Sequence, residues 1–301
     1  MKVIKVGLLG MGTVGSGVFE VLKNNAAEIS RRAGCTIQIG RVVVRDPEEV
    51  RTLVGPDIPL SSDPFDIVND SAIDVLVEVM GGTTLARDVV LAAIAKGKQV
   101  VTANKALLAE DLARLSATAK KNGVDLYYEA AVAGAVPVVY GLRESLAGDR
   151  ITKVMGIVNG TTNFILDAMD SQGLGYADAL AEAQRLGYAE ADPTADVEGL
   201  DAAAKCSILA SLAFHTRVGI DDVEVEGITR VTSEDMAQAR REGRVIKLLA
   251  IAERRTGDDG REGVSMRVHP AQVPSDHPLA SVDGAFNAIL VEGENAGRLM
   301  F

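Results

Sequence analysis

The sequence has few of the residues from which disulfide frameworks and metal centres are built. Its 301 residues include two cysteines, Cys35 and Cys206, and three histidines. Two cysteines cannot form a disulfide framework or a four-cysteine zinc site, and His215, His269 and His277 lack the spacing of metal ligands. We therefore expect the histidines to be surface or helix-capping residues. The sparse use of cysteine favours a reducing, cytoplasmic location.

Excess positive charge and long apolar runs are also missing. The chain has 31 lysines and arginines against 42 aspartates and glutamates, which gives a formal net charge of −11. An acidic surface repels nucleic acid and anionic lipid, and the chain has neither tryptophan nor a basic stripe interleaved with aromatic residues. No run reaches the roughly 18 apolar residues of a membrane span, and the first run, MKVIKVGLLG, passes directly into a glycine pattern typical of a strand and turn. We expect neither a nucleic-acid partner nor a membrane partner.

The apolar pattern of the first 129 residues predicts a parallel sheet. Five short runs rich in β-branched residues are predicted as strands at 3–9, 36–44, 73–78, 99–102 and 125–129. Stretches of helical period lie between them, beginning at 14–22 and followed by 86–95 and 107–121. Strands that alternate with helices indicate a doubly wound, Rossmann-type α/β fold, covered by helices on both faces.

A second domain is predicted for residues 130–301, which agrees with the usual length of roughly 100–200 residues per domain. The segment 130–148 is rich in glycine and then helical, a strand follows at 151–158, and helices are predicted at 163–171, 176–186 and 199–214. Strands dominate from residue 223 onward, in the runs VEVEGI, VIKLLAIAERR, VSMRVHPAQV and FNAILVEGE. We expect an α+β domain with a mostly antiparallel sheet.

A glycine-rich loop follows the first predicted strand. Gly10, Gly12 and Gly15 form the pattern G-x-G-x-x-G between a strand and a helix, which is the context that dinucleotide binding requires. Gly10 permits the turn, Gly12 lets a pyrophosphate approach the backbone, and Gly15 lets helix and strand pack closely. Thr13 and Val14 begin the helix, whose first amides and positive dipole end favour phosphate. The alternative is a glycine-rich turn without a ligand.

The end of the second strand bears on which dinucleotide is bound. Arg45 is the first residue after the apolar run VVV, and a guanidinium pairs well with a 2′-phosphate. We therefore expect NADP(H) to be preferred over NAD(H). Asp46 follows directly and leaves NAD(H) open, because an acid at this place binds the ribose 2′-hydroxyl.

Two lysines have the placement of functional residues. Asp201 and Lys205 lie four residues apart on one face of the predicted apolar helix, after a segment dense in acids. A lysine beside acids in a partly buried setting can orient a polar substrate or move a proton, although a surface ion pair gives the same spacing. Lys105, in the string VTANK, follows the fourth predicted strand, at the sheet edge where ligands bind in doubly wound folds. Its alternative is a surface lysine at the start of a helix.

At these residues the chain resembles homoserine dehydrogenase. The family signature A-x3-G-Y-x3-D-P-x2-D-x2-G-x-D-x3-K is matched without a break from Ala183 to Lys205. Further similar strings are GLLGMGTVGSGV, EVMGG, VVTANKALLA, YYEAAVAGAVPVV and GIVNGTTNFIL. The resemblance covers essentially the whole chain in order. It implies an enzyme that interconverts L-aspartate 4-semialdehyde and L-homoserine with NAD(P)H, in the biosynthesis of threonine, methionine and isoleucine.

The resemblance also implies roles for individual residues. Lys205 matches the lysine that donates the proton to the aldehyde oxygen, and Asp201 matches an acid that binds substrate and relays the proton. Lys105 is implied as a second proton-transfer residue near cofactor and substrate. The remaining implied contacts are Glu190 and Asp196 with the substrate ammonium group, Asn159, Gly160 and Thr161 with the substrate pocket, and Gly187 with the cofactor.

A cation site and an oligomer are further implications of the resemblance. Glu129, Val132, Gly134 and Val136 match a loop that holds a monovalent cation, usually sodium, largely through backbone carbonyl oxygens. A glycine-rich joint between domains, without an ion, is the alternative. The strand-rich part of the second domain is expected to form a homodimer or higher homo-oligomer. Family members continue into a Y-G-x-G-A-G segment that returns to the cofactor domain, so we expect the 301 residues to be part of a longer chain.

Two other classes of protein stay open at this point. One is a dinucleotide-binding sensor or interaction protein without turnover, against which the complete set of Asp201, Lys205 and Lys105 speaks. The other is a different cofactor enzyme, such as an acylating aldehyde dehydrogenase. That chemistry needs a cysteine nucleophile at the cofactor, and neither Cys35 nor Cys206 has that placement.

Overall fold

A computed structural model describes residues 2–257 and 259–301 of the chain. These residues fall into two compact units, Met1–Ala131 and Val132–Phe301. The first unit contains a parallel sheet with helices, and the second contains a mixed sheet with helices. The predicted α/β fold class is confirmed. In the part of the chain that the structure describes, no helix combines the length and apolarity that crossing a bilayer requires.

The first unit alternates strands and helices. Its strands are β1 (Val3–Leu9), β2 (Thr36–Val43), β3 (Leu60–Ser61), β4 (Val75–Glu78), β5 (Gln99–Thr102) and β6 (Leu126–Tyr127). Its helices are α1 (Thr13–Asn24), α2 (Ala26–Ala33), α3 (Pro47–Val54), α4 (Phe65–Asn69), α5 (Thr84–Ala95) and α6 (Lys105–Asn122). A short 3₁₀ turn, Glu129–Ala131, ends the unit.

The sheet of the first unit has the order β3-β2-β1-β4-β5-β6, with every pair parallel. The strand order reverses between β1 and β4, and in such sheets ligands bind outside the carboxyl ends of the strands at this point. The last four residues of β1 are buried on both faces, which explains why its sequence is apolar without alternation. Leu8, Phe19 and Val42 belong to the core cluster beneath the glycine loop.

The described residues of the second unit contain a six-stranded sheet and six α-helices, together with a short π-helix and two 3₁₀ turns. Its strands are β7 (Ile151–Ile157), β8 (Glu224–Val225), β9 (Arg244–Thr256), β10 (Glu262–Pro274), β11 (Ala288–Gly293) and β12 (Gly297–Met300). Its helices are α7 (Val138–Tyr140), α8 (Gly160–Gln172), α9 (Tyr176–Arg185), α10 (Thr194–Val197), α11 (Leu200–Phe214) and α12 (Ser233–Arg241). The sheet order is β12-β11-β7-β9-β10-β8; the pair β10–β8 is parallel, and the four other pairs described are antiparallel.

Helix α11 packs across β7, β9 and β10 and is buried on nearly all sides. Small residues such as Ala202, Ala203 and Ala210 permit this close packing, and the burial explains why the helix is apolar all round rather than amphipathic. Gly199, with φ +81°, begins the helix. This location places Asp201 and Lys205 on a rigid element, one turn apart.

Several short elements differ from the prediction. The run VEVEGI forms only a two-residue strand, and the fifth predicted strand contracts to Leu126–Tyr127. Helix α12 lies in a region predicted to consist of strands. The signal for it is a capping box, in which Thr232 accepts from the Asp235 amide and the Asp235 carboxylate accepts from the Thr232 amide. Helices α2, α3 and α4 and strand β3 were not predicted from the apolar pattern, because they have too few residues to show a period.

Candidate active site

The glycine loop of the first unit has the geometry of a phosphate cradle. Gly10 has φ +104°, and a Cβ on it would lie 2.8 Å from the Val79 carbonyl oxygen. A Cβ on Gly15 would overlap the Gly10 carbonyl oxygen, so both positions require glycine. Around Gly12, by contrast, the described residues place no atom within 4 Å of the Cβ position, apart from Gly12 itself and its immediate neighbours in the chain. The loop is therefore tight on its inner side and open at Gly12, where Thr13 begins helix α1 with its positive dipole end.

A cavity of about 610 Å³ adjoins this loop at the carboxyl ends of β1, β2 and β4. Gly10, Gly12 and Arg45 are among its lining residues. Arg45 is exposed and has no ion pair or hydrogen bond in the described parts of the chain. The Asp46 carboxylate, in contrast, accepts a hydrogen bond of 3.0 Å from the Glu48 amide and caps helix α3. The arrangement leaves the guanidinium of Arg45 available for an anion.

Lys105 and Val14, two further predicted cofactor-side residues, each lie in the first turn of a helix. Val14 is exposed in the first turn of α1. Lys105 is the first residue of α6, is exposed, and follows Asn104, whose side chain accepts from the Leu107 amide and caps the helix. Both helices begin at the carboxyl end of a parallel strand, which is the ligand-binding edge of the sheet.

The second unit brings Asp201 and Lys205 together. The Lys205 Nζ atom lies 2.7 Å from Oδ2 of Asp201, and it donates a second hydrogen bond of 2.7 Å to the carbonyl oxygen of Val158. The side chains of Lys205 and Asp201 are only 14% and 3% exposed. This is not a surface ion pair, because water screens neither partner fully. The ammonium group is held at a defined place, directly after strand β7.

Asn159 connects this pair to a second carboxylate. Its side-chain amide donates 2.7 Å to Oδ1 of Asp196 and 2.9 Å to Oδ2 of Asp201. Its Oδ1 accepts from the amide and the hydroxyl of Thr162, so the same residue caps helix α8. The described contacts use both amide protons and both acceptor positions of Asn159. Asn159 therefore holds Asp196 and Asp201 side by side.

The other predicted substrate-pocket residues line the same region of the second unit. The Thr161 hydroxyl donates 2.6 Å to the Tyr188 carbonyl oxygen, and the Tyr188 ring stacks on Phe164 with centroids 4.7 Å apart. A Cβ on Gly160 would lie 2.6 Å from the Ala285 carbonyl oxygen, so packing alone requires glycine there. Thus the segment NGTTN, residues 159–163 at the start of helix α8, is held by a hydrogen bond to Tyr188 and by packing against Ala285.

Glu190 and Gly187 are exposed on the loop between α9 and α10. The side chain of Glu190 has no partner among the described residues, and Gly187 has φ +81° with open space around its Cβ position. Asp192, in the same acid-rich segment, differs from Glu190 because its carboxylate is hydrogen-bonded within the chain. The Thr194 hydroxyl and amide both donate to its Oδ1 and hold the pKa of Asp192 below its ordinary value. Asp192 forms the turn into α10.

The predicted cation loop contains a strained residue. Ala133 has φ +54° and is followed by Gly134 with φ +59°, so two successive residues are left-handed. For a non-glycine residue that conformation costs on the order of 1 kcal/mol, and such strain often occurs at functional sites as well as in turns and helix ends. The Val132 side chain is fully buried, while Glu129 is partly exposed in the preceding 3₁₀ turn. Carbonyl oxygens, not side chains, are what Val132, Gly134 and Val136 can offer an ion.

In residues 2–257 and 259–301, no group of three or more histidine, cysteine, aspartate or glutamate residues can hold a metal ion. His277 caps a 3₁₀ turn, with Nδ1 accepting from the Leu279 amide, and His215 ends helix α11 in a left-handed conformation. A capping role, as expected from the sequence, is confirmed for His277.

Comparison with known proteins agrees with this geometry. A family model described as homoserine dehydrogenase matches residues 137–301, and one described as homoserine dehydrogenase, NAD binding domain, matches residues 10–129. Homoserine dehydrogenase of Corynebacterium glutamicum is 55% identical over 298 residues, which cover 99% of this chain and 67% of that protein. The chain belongs to the homoserine dehydrogenase family. The resemblance stated from the sequence strings is thereby confirmed.

Solved structures of homoserine dehydrogenases give the same result. The enzyme from Thiobacillus denitrificans superposes with a TM-score of 0.92 at 47% identity, over 99% of this chain and 68% of that chain. A hyperthermophilic archaeal homoserine dehydrogenase in complex with NADPH has a TM-score of 0.81 at 28% identity, over 99% of this chain and 90% of that chain. As a member of the homoserine dehydrogenase family, the protein is an NAD(P)-dependent oxidoreductase with a nicotinamide cofactor.

Cys206, next to the lysine of this homoserine dehydrogenase site, is not suited to nucleophilic chemistry. Cys206 follows Lys205 in α11 but is 1% exposed, and burial raises the pKa of its thiol to about 12. A thiol that stays protonated at neutral pH is not a nucleophile. This argues against the acylating aldehyde dehydrogenase alternative.

The sequence did not reveal two contacts at the lysine. The Val158 carbonyl is a main-chain group and leaves no side-chain signature. The bridge from Asn159 to Asp196 and Asp201 joins residues 37 and 42 positions apart.

Proposed function

We propose that the protein reduces L-aspartate 4-semialdehyde to L-homoserine with NADPH, in the biosynthesis of threonine, methionine and isoleucine. The observation that supports this most strongly is the setting of Lys205. An ammonium group has three N–H donors, and two of them bind Asp201 and Val158 within the second unit. The third is left to donate to the oxygen of an aldehyde, where negative charge develops during reduction.

The acids around Lys205 suit the other end of the substrate. Aspartate 4-semialdehyde carries an ammonium group, which carboxylates bind by charge-assisted hydrogen bonds. Oδ1 of Asp196 accepts from Asn159, while Oδ2 has no partner in the described residues and is available. We assign Asp196, together with the exposed Glu190, to the substrate ammonium group. Asp201 orients Lys205 and, after the lysine has donated its proton, relays a proton from water to it.

Asn159 is assigned a positioning role rather than a direct substrate contact, because its amide is fully used on the two carboxylates. Thr161 keeps acceptor capacity on its hydroxyl and stays a candidate for the substrate pocket, together with the backbone at Gly160. Lys105 is proposed as a second proton-transfer residue on the cofactor side.

The first unit fits a dinucleotide. When bound, NADPH supplies the hydride for the reduction. The open face at Gly12 and the first amides of α1, at Thr13 and Val14, would hold the pyrophosphate. Arg45 lines the cavity, pairs with none of the described residues and would bind a 2′-phosphate, whereas the carboxylate of Asp46 caps α3. We therefore propose that NADP(H) is preferred over NAD(H), with Gly187 contributing its backbone to the cofactor.

A monovalent cation, Na⁺ by preference, is proposed at Glu129, Val132, Gly134 and Val136. Support comes from the two successive left-handed residues Ala133 and Gly134 in this loop. Na⁺ prefers oxygen donors, and one carboxylate with several carbonyls offers them. The measurement is turnover after exhaustive dialysis into a choline buffer, followed by titration with NaCl or KCl. Equal activity without either ion would contradict the site.

We also propose which function each of the two domains has. Residues 1–129 are assigned to dinucleotide binding, and residues 130–301 to substrate binding, catalysis and the assembly of a homodimer or higher homo-oligomer. Sedimentation equilibrium measures the assembly directly. A monomer at micromolar concentration would contradict it.

The reaction is tested by following NADPH absorbance with aspartate 4-semialdehyde, and NADP⁺ reduction with L-homoserine. We expect turnover in both directions. Binding of NADPH without turnover in either direction would contradict the proposal and favour a dinucleotide-binding sensor instead.

A further inference from the structure

Glu78 is a buried carboxylate in the first unit to which no role has been given. It is the last residue of β4 and is 0% exposed. Its Oε2 accepts 2.6 Å from the Thr102 hydroxyl, and its Oε1 accepts 3.0 Å from the Met80 amide. Within the described residues, no lysine or arginine pairs with it. Burying a carboxyl group without a cation is costly, and only the hydrogen bonds that Glu78 accepts offset that cost.

The hydrogen bonds extend from Glu78 to the turn between β5 and α6. The Asn104 amide nitrogen donates 3.0 Å to Oγ1 of Thr102, and Asn104 Nδ2 lies 3.4 Å from Oε1 of Glu78. The same Nδ2 donates 2.7 Å to the Gly82 carbonyl oxygen, while Oδ1 of Asn104 caps α6. Thus one buried group ties the loop after β4 to the loop after β5.

The network also reaches the glycine loop. Met80, whose amide Glu78 holds, lies against Gly10, because a Cβ on Gly10 would come within 3.0 Å of the Met80 Cα atom. Val79 and Met80 line the cavity beside Gly10 and Gly12. Three of the loops at the ligand-binding edge of the sheet are therefore linked to one carboxylate: those after β4 and β5 by hydrogen bonds, and that after β1 by the packing of Met80 on Gly10.

We propose that Glu78 is a positioning residue for the dinucleotide site, which fixes the three loops through Thr102, Asn104 and Met80. This deepens the proposed function by naming what holds its cofactor loops in place. The loops are positioned before the cofactor arrives, so binding does not have to order them. Asn104 passes the effect to the start of α6, where Lys105 lies.

The test replaces the acceptor or its strongest donor with a group of the same size. Glu78→Gln puts an N–H group where an acceptor was needed, and Thr102→Val removes the hydroxyl that donates to Glu78. We expect each to raise the Kd of NADPH, measured by fluorescence titration at 20 °C, by about tenfold. Thr102→Ser keeps the hydroxyl and is expected to recover most of the affinity. The double variant is expected to be no worse than Glu78→Gln alone, since both break one network.

Lys98 provides a matched control in the same sheet. It is 5% exposed, burial lowers the pKa of its ammonium group, and its Nζ donates 2.7 Å to the carbonyl oxygens of both Asp70 and Ile73. These contacts lie at the amino ends of β4 and β5, opposite the ligand-binding edge. Lys98→Met should lower the melting temperature as the network variants do, but leave the Kd of NADPH within twofold.

The outcomes separate this proposal from the proposed function. If Glu78→Gln does not fold, the proposal is tested by comparing the Kd of NADPH for Thr102→Val with that for Thr102→Ser. If both network variants lose thermal stability but bind NADPH within twofold of the natural protein, Glu78 is merely structural and the proposal is overturned. The Kd of NADPH is measured without turnover. If the natural protein binds NADPH but does not catalyse the reaction, the proposed function is overturned, and the effect of Glu78 on NADPH binding can still be measured.

Discussion

Asn159→Asp isolates the bridge between the two carboxylates. The variant keeps an oxygen that accepts from Thr162, so the cap of helix α8 survives, but it loses both N–H donors and places a third carboxylate against Asp196 and Asp201. Hydrogen bonds to charged groups contribute about 1.5–3 kcal/mol each. Because Asn159 is buried, we expect the free energy of unfolding to fall by about 3–6 kcal/mol at pH 7.

The loss should depend on pH. Crowding raises the pKa of one of the three carboxyls in the folded variant above its unfolded value, so the variant gains stability as that group is protonated. Its deficit should therefore be smaller at pH 5 than at pH 7 in urea denaturation followed by circular dichroism. Turnover should fall as well. Thr232→Ala is the control: it removes a cap outside the site and should cost about 1 kcal/mol without affecting turnover. A deficit below 1 kcal/mol that does not change with pH, with normal turnover, would refute the bridge.

Three further results are expected. Arg45→Ala should lower kcat/KM for NADPH about tenfold and leave the value for NADH nearly unchanged, because only a 2′-phosphate needs the guanidinium; equal losses for both cofactors would contradict this. Cys206 should not react with a thiol reagent in the native protein from pH 7 to 9, because burial raises its pKa to about 12, but it should react after unfolding in urea. The Cys35→Ser variant is used for this measurement, so that Cys206 is the thiol observed. Gly160→Ala should lower the free energy of unfolding by about 1–3 kcal/mol through its approach to Ala285, as urea denaturation measures; an unchanged midpoint would contradict that packing.

The long elements and the glycine loop could be predicted from the sequence because their signals are local. The period of α6 and the apolar run of β1 span enough residues to be recognised, and Gly15 is required by the carbonyl oxygen of Gly10, five residues earlier. The short elements could not be predicted in this way. Helix α12 has nine residues and few apolar ones, and only its capping box indicates it.

In the candidate site, too, contacts between neighbours in sequence could be predicted and contacts between distant residues could not. Asp201 and Lys205 are neighbours on one helix, so their spacing alone places them together. The contacts that hold them come from the end of β7, more than 40 residues away, and one of these is a backbone carbonyl. In the sequence, Glu78 likewise gives no sign of a function, because it is simply the polar residue that ends an apolar strand. Its role depends on Thr102 and Asn104, which only the pairing of β4 with β5 brings near.

Lys205→Ala tests the central claim most directly. The variant removes the proposed proton donor from the second unit and leaves the glycine loop and Arg45 of the first unit intact. Turnover of aspartate 4-semialdehyde should be lost, while the Kd of NADPH from fluorescence titration should stay within about twofold of the natural value. Turnover that persists, or cofactor binding that is lost together with it, would contradict the role given to this lysine.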